Sequence, residues 1–258
     1  MYFKTIDFIK FSSIKVGVPL EVLMLERGDM IPKDRVIIGH ANNLLVSSNP
    51  PPLMMLSKDF SFMKLEDEVL TVGCATPTGK LLSFAKKNDL AGFEFISKLP
   101  GSIGGMLAMN AGVKSYEIFN ILDAIKIDGV WVEKKEIEYG YRFAKLGGVA
   151  TEVRFKITRG FSKELLDELV NLRSNQPKIA SAGSAFKNPK GDYAGRLIEE
   201  VGLKGVSKGA MQWSEVHANF LVNNGGGTFE EARYLLDVVK EKVLEKFGVE
   251  LLEEVQIL

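Results

Sequence analysis

Cysteine is almost absent from this chain. Cys74 stands alone, which excludes an internal disulfide and a cysteine-based zinc cluster. Histidine is nearly as scarce, with only His40 and His217 to act as imidazole ligands, so no structural metal site is expected. Charge of one sign is also missing: 33 Lys and Arg residues balance 33 Asp and Glu residues. Neither nucleic acid nor an anionic membrane surface is therefore an expected partner. No window reaches the roughly 18 apolar residues that a spanning helix needs. Lys4, Asp7 and Lys10 interrupt the apolar start of the chain, which does not read as a signal peptide, and a cytoplasmic location is expected. With 46% hydrophobic and 26% charged residues over 258 positions, the sequence has material for an ordinary core and falls outside the disordered and fibrous classes. Glycine is in excess, at 25 residues, and its clustering points to backbone that approaches a ligand.

Periodicity implies a mixed α+β chain. "VIIGHANNLLV", residues 36–46, reads as strand, polar turn and second apolar segment. Three prolines at 50–52 forbid helix, and Leu53 to Leu56 make a short strand. After strand-like "VLTVG" at 69–73, Thr76 and Pro77 open a helix with Leu81, Leu82 and Ala85 on one face, stopping near Gly92. Asp128-Gly129 is the turn of a hairpin. The pattern turns helical near residue 160, with Ser162 as N-cap and Leu165, Leu169 and Leu172 as the apolar stripe. Asp192 opens a further helix closed by Gly202, and "HANFLVN" is a strand. Thr228 and Glu231 form a capping box for the clearest helix, which Gly248 ends, and "VELLEEVQIL" closes the chain as a strand.

Two of the glycine clusters carry chemistry. In "LPGSIGGMLAMNAG", residues 99–112, Gly101, Gly104 and Gly105 leave amide N–H groups open to a phosphate or a heteroaromatic edge at the start of a helix. In "GHANNLLV", residues 39–46, Gly39, Ala41, Asn42 and Asn43 offer a second turn able to close around pyrophosphate. There is no Walker lysine and no Rossmann fingerprint, so the pair suggests a dinucleotide held outside a Rossmann fold.

These two loops, in this order, resemble the FAD-binding half of the bacterial UDP-N-acetylenolpyruvoylglucosamine reductase family, where "GGGSN-LLV" and "IPG-GG-NAG" loops hold the flavin. "YGYR" at 139–142, "QPKIASAGSAFKNP" at 176–189, "HANFLVN" at 217–223 and "LLEEV" at 251–255 follow in the family's order. The resemblance implies an α+β fold with two FAD-binding subdomains of the vanillyl-alcohol-oxidase type, residues 1–57 with the returning strand 251–258, and 58–160. A C-terminal α+β substrate-binding domain, 161–250, completes it. It also implies non-covalent FAD, NADPH as hydride donor and UDP-N-acetylenolpyruvoylglucosamine as substrate, with no obligate protein partner. NADPH would reduce FAD, flavin N5 would deliver hydride to C3 of the enolpyruvyl ether, and protonation at C2 would give UDP-N-acetylmuramate for peptidoglycan synthesis, and so for cell-wall biogenesis, cell shape and division.

Carried over residue by residue, the resemblance makes Arg142, Ser184 and Glu254 catalytic. A guanidinium can hold the substrate carboxylate bidentately and stay cationic as enolate charge develops, and a fixed hydroxyl can protonate the enolate carbon. Glu254 is chosen over its neighbour Glu253 because it directly precedes valine. FAD would be held by Gly39, His40, Ala41, Asn42, Asn43 and Leu44 of the first loop and by Pro100, Gly101, Ser102, Gly104, Gly105, Asn110, Ala111 and Gly112 of the second. Tyr141, Lys187, Asn188, Gln212 and His217 would meet the substrate.

The chain departs from the family pattern in three places. "GGGSN" has become "GHANN", the hydroxyl after "YR" is lost at Phe143-Ala144, and there is no room for the tyrosine-bearing loop of longer members, so the chain resembles the compact second type. Two other readings compete. One is a flavin oxidase of the same superfamily with His40 linked covalently to flavin. The other is a non-catalytic nucleotide-sugar binding module.

Overall fold

Pro50, Pro51 and Pro52 bar helix, and the chain leaves them as the strand Leu53–Leu56. Both edges of that strand are occupied, by Val22–Leu25 on one side and Val36–Ile37 on the other, and both pairings are parallel. A strand enclosed in this way reads as a continuous apolar run, and Leu53, Met54 and Met55 are buried. The computed structural model to which these strands belong describes residues 1–172 and 174–258. It divides into two compact units.

The first unit comprises residues 1–4, 22–40 and 52–174. Its main element is an antiparallel sheet in the order Val130–Glu133, Leu122–Ile127, Ala150–Lys156, Val69–Gly73, Met63–Glu66. Asp128 and Gly129 turn the first hairpin with φ of 46° and 85°, the paired positive angles that a two-residue turn matched to strand twist demands. Asp128 also fixes the turn by accepting a hydrogen bond from the Val149 amide at 2.8 Å. The helix Thr78–Lys87 buries Leu81 and Ala85 against the sheet, beside Val72, Ile125, Val153 and Phe155. Pro77 is its N-cap, and it ends before the expected Gly92, because Asp89 is left-handed and Leu90–Ala91 pairs as a strand with Thr158–Arg159. The helix Lys163–Asn171, capped by Ser162, adds Leu169 to the same core, so the unit runs past residue 160 to Ser174. Leu172 lies beyond the helix and is exposed rather than continuing the stripe.

The second unit comprises residues 5–21, 41–51 and 175–258. Its sheet has the order Ala180–Ser184, Phe220–Asn223, Met211–Trp213, Ser207–Lys208, antiparallel throughout. The long helix Phe229–Phe247 starts with the Thr228–Glu231 capping box and stops at left-handed Gly248. Ala232, Leu235, Leu236, Val239 and Val243 form its buried face, in one core with Phe186 and Trp213. Asp192 does not open the next helix. Ala194–Glu200 begins after Tyr193, its first amide donates to the Asn188 side chain at 3.0 Å, and Asp192 is taken up by Arg196 one turn on. The C-terminal segment is not one strand either: Gln256–Ile257 pairs in parallel with Leu44–Leu45, and Glu253 forms an isolated bridge with Phe186. Among the described residues no helix is long and apolar enough to cross a membrane.

Candidate active site

The second glycine loop works through what its glycines lack. Ser102 caps the helix Ile103–Ala108 by accepting from the Gly105 amide at 3.3 Å, and the Gly104 amide donates to the Cys74 carbonyl at 2.8 Å. Those two N–H groups are spent within the protein, which corrects the expectation that they lie open to an anion. A Cβ on Gly104 would meet Cys74 at 3.2 Å, and one on Gly39 would meet the Ser102 hydroxyl at 2.7 Å, so both glycines allow close backbone packing. Gly105 differs: a Cβ there would meet nothing closer than Ser102 Oγ at 3.5 Å. It lines a cleft of the first unit together with Gly39, His40, Ser102 and Gly104, so its missing side chain leaves room for a bound group rather than for the protein.

His40 binds the two loops together. Its imidazole hydrogen-bonds the Gly101 backbone, while burial pushes its pKa below the ordinary value, so the ring is neutral at pH 7. Cys74, also in the cleft wall, is fully buried with its thiol pushed up by burial, which removes it as a nucleophile. Pro100 is exposed. Asn110 is fully buried, and its side chain serves Glu117, Gly140 and Phe119. The amide following Ala111's neighbourhood in the fold, that of Ile118, donates to the Ala111 carbonyl at 3.0 Å, and Gly112 is a glycine because the Tyr116 carbonyl occupies the space of a Cβ.

The first loop continues into the second unit at Ala41, which is left-handed and buried. Asn42 donates to Ser13 Oγ at 2.6 Å, and its Oδ1 is buried without a protein partner. Asn43 donates to the Glu254 carbonyl at 2.8 Å, and Leu44 pairs with Gln256, so this part of the loop anchors the C-terminal segment.

Ser184 and Glu254 are brought together in that unit by backbone pairing. Ser184 ends the strand Ala180–Ser184 after a bulge and left-handed Gly183, and is half-buried. The next carbonyl, Ala185, accepts from the Glu254 amide at 2.8 Å, and Lys187 donates through its amide to Leu252 at 2.8 Å. Asn219 fixes Phe186 from the other side, accepting from its amide at 3.0 Å and donating to its carbonyl at 2.8 Å. Glu253 pairs with Arg233 at 3.0 Å and Lys240 at 3.4 Å on the long helix. Glu253 is thereby committed to the long helix.

Arg142 belongs to the first unit, in the turn between Tyr139–Gly140 and Phe143–Ala144, with φ of 60°. Its guanidinium donates to the Gly112 carbonyl at 3.0 Å, stands 3.8 Å from the Glu117 carboxylate and lies over the Tyr141 ring.

The family model described as UDP-N-acetylenolpyruvoylglucosamine reductase, C-terminal domain, matches residues 175–258. The reductase of that name from Helicobacter hepaticus is 46% identical, and that from Helicobacter pylori 42% identical, each alignment covering 98% of this chain and 98% of the relative. The chain belongs to the UDP-N-acetylenolpyruvoylglucosamine reductase family. Its fold agrees with the crystal structure of the reductase of this name from Thermus caldophilus, with a TM-score of 0.87 and 30% identity over 100% of this chain and 99% of that one. As a reductase of this family the protein is an oxidoreductase enzyme with an α+β fold and a role in peptidoglycan synthesis.

Of the remaining expected substrate residues, Tyr141 belongs to the first unit and Lys187, Asn188, Gln212 and His217 to the second. Tyr141 is exposed beside Arg142. Lys187 is half-buried, and Asn188 caps Ala194–Glu200. Gln212 donates to the Gly205 carbonyl at 2.9 Å and accepts from Asn224 at 3.0 Å. His217 accepts from the Asn219 amide at 3.3 Å, packs against Gly195 at the start of that helix, and has its pKa lowered chiefly by burial. Sequence reading passed over Glu117, Ser13 and Asn219. Each acts through partners distant in sequence; Asn219 stands inside the "HANFLVN" motif, while no local pattern marks Glu117 or Ser13.

Proposed function

We propose that the protein reduces UDP-N-acetylenolpyruvoylglucosamine to UDP-N-acetylmuramate at the expense of NADPH, with FAD bound non-covalently. The observation that carries this reading is the pairing of the Ser184 segment with the Glu254 segment, in a chain 42% and 46% identical to the two Helicobacter reductases named for that substrate. When bound, FAD supplies the hydride that adds to C3 of the enolpyruvyl ether. The cleft beside Gly105 fits such a group, since a side chain is missing there without any protein atom to require it. Gly39, His40, Ser102 and Gly105 would hold the cofactor, with the rest of both loops setting their positions. Residues 1–57 with 251–258 and residues 58–160 would bind FAD, and 161–250 the substrate.

The chain's own residues do the rest. Arg142 receives the substrate carboxylate on its guanidinium and remains cationic while negative charge grows on that group after hydride addition. Ser184 Oγ–H gives its proton to C2, and Glu254 shares this acid role, so one hydride and one proton add across the double bond. Lys187, Asn188, Gln212 and His217 serve the nucleotide-sugar portion.

The test begins with the visible spectrum. Purified protein should be yellow, NADPH oxidation should depend on the enolpyruvyl substrate, and Gly105→Val should give folded, colourless protein. Gly105 is the cleaner position, because Gly104→Val would also press on Cys74. Wild-type protein that takes up no flavin, or a NADPH oxidation rate indifferent to substrate, removes the proposal. The C-terminal motifs, "GSAFKNP" above all, favour this reading over a covalent flavin oxidase, and acid precipitation separates the two: flavin should stay in the supernatant.

A further inference from the structure

We propose that Glu117, assisted by Asn110, is a positioning residue that aims the Arg142 guanidinium. The proposal rests on Arg142 as the group that receives the substrate carboxylate. Arg142 sits in a tight hairpin turn in the left-handed region, a conformation that L-residues with long side chains rarely adopt. That backbone sets where the side chain starts, but four rotatable bonds separate it from the guanidinium. The far end is held by the Gly112 carbonyl at 3.0 Å and by Glu117 Oε1 at 3.8 Å. The second distance is an ion pair rather than a hydrogen bond, so Glu117 acts on the cation by charge.

Glu117 is itself held. Its other oxygen accepts from Asn110 Nδ2 at 2.7 Å, and its side chain is 21% exposed. Asn110 is fully buried, donates also to the Gly140 carbonyl at 3.1 Å and accepts from the Phe119 amide at 3.2 Å. One side-chain amide therefore ties the hairpin backbone, at Gly140, and the carboxylate that faces the hairpin's arginine to the backbone at Phe119. Backbone and guanidinium of Arg142 are referred to one frame. This explains why Asn110, in the glycine loop, spends its side chain on the protein, and it gives Glu117 a function that its sequence surroundings do not suggest.

The experiment compares Glu117→Gln, Arg142→Lys and the double variant as FAD-loaded enzymes. Stopped-flow measurements follow flavin reduction by NADPH and flavin reoxidation by substrate, and calorimetry follows binding of the product UDP-N-acetylmuramate. Glutamine can keep the Asn110 bond and loses only the charge. Glu117→Gln should slow reoxidation and weaken product binding by about 10- to 100-fold, the scale on which a misaimed group costs rate, with flavin reduction unchanged. It should add little in the Arg142→Lys background, since its effect passes through the guanidinium. An equal loss in both backgrounds, an equal slowing of both half-reactions, or no loss at all overturns the proposal. Failure of the Arg142 reading shows separately, as wild-type reoxidation and product affinity in Arg142→Lys alone. Should Glu117→Gln not fold, Glu117→Asp serves: its shortened carboxylate cannot span Asn110 and Arg142 together, and wild-type reoxidation there counts against the proposal in the same way.

Discussion

Loss of the Ser184 hydroxyl would separate the proposed proton donation from everything that precedes it. Ser184→Ala should bleach its flavin with NADPH near the wild-type rate, while reoxidation by substrate falls by roughly 10² to 10⁴, the usual worth of a positioned acid. A residue that merely shaped the turn after Gly183 would leave reoxidation per folded molecule intact, and that outcome would end the proton-donor role. The neighbouring glutamates make a second pair. Glu254→Gln should slow reoxidation, whereas Glu253→Gln should leave both half-reactions alone and cost about 1 kcal/mol or less in denaturant unfolding, because Glu253 is spent on Arg233 and Lys240. If Glu253→Gln is the variant that loses reoxidation, the assignment is reversed. Sequence chose Glu254 on its position before valine, and the two variants together test that choice.

At the scale of elements, the segment 184–187 is held by side-chain and backbone bonds from two directions rather than by a long ladder. Asn219 satisfies both backbone groups of Phe186 and is 3% exposed. Asn219→Ala should therefore cost about 2–4 kcal/mol, since two buried peptide groups lose their partner at once. Because Ser184 stands two residues away, substrate reoxidation should fall as well, and a denaturant midpoint at the wild-type value would contradict this account. The bounds of the regular elements follow the same logic. Thr228, Glu231 and Gly248 mark the long helix in the sequence because capping is local chemistry. The C-terminal stretch reads as one strand but is a strand only at Gln256–Ile257, because strand length depends on which backbone is available to pair, and that is set by Asn43, Leu44 and Ala185 far away in sequence.

For the whole molecule, burial of both histidines ties stability to pH. Each has a folded pKa below the ordinary 6.5, so as pH falls below that value the unfolded chain binds protons that the folded protein refuses. The neutral rings contribute fully above about pH 6.5 and lose their contribution as pH falls toward the lowered folded values. Thermal midpoints should decline from pH 7 to 5, and the decline should be shallower in His40→Asn and in His217→Asn; slopes equal to wild type in both would show that the imidazoles are not the cause. The sequence by itself determined the α+β class, the main helix, the two glycine loops and the ordered motifs that identify the family, because periodicity, capping and turn chemistry act over a few residues. Only the tertiary structure decided that Gly104 serves packing while Gly105 leaves space, that Asn110 is a buried brace, that Glu117 faces Arg142, and that Glu254 lies beside the Ser184 segment. Each of these depends on atoms brought together from distant positions in the chain, and the energy of burying or pairing a polar group is fixed by those neighbours and not by the residue's own surroundings in sequence.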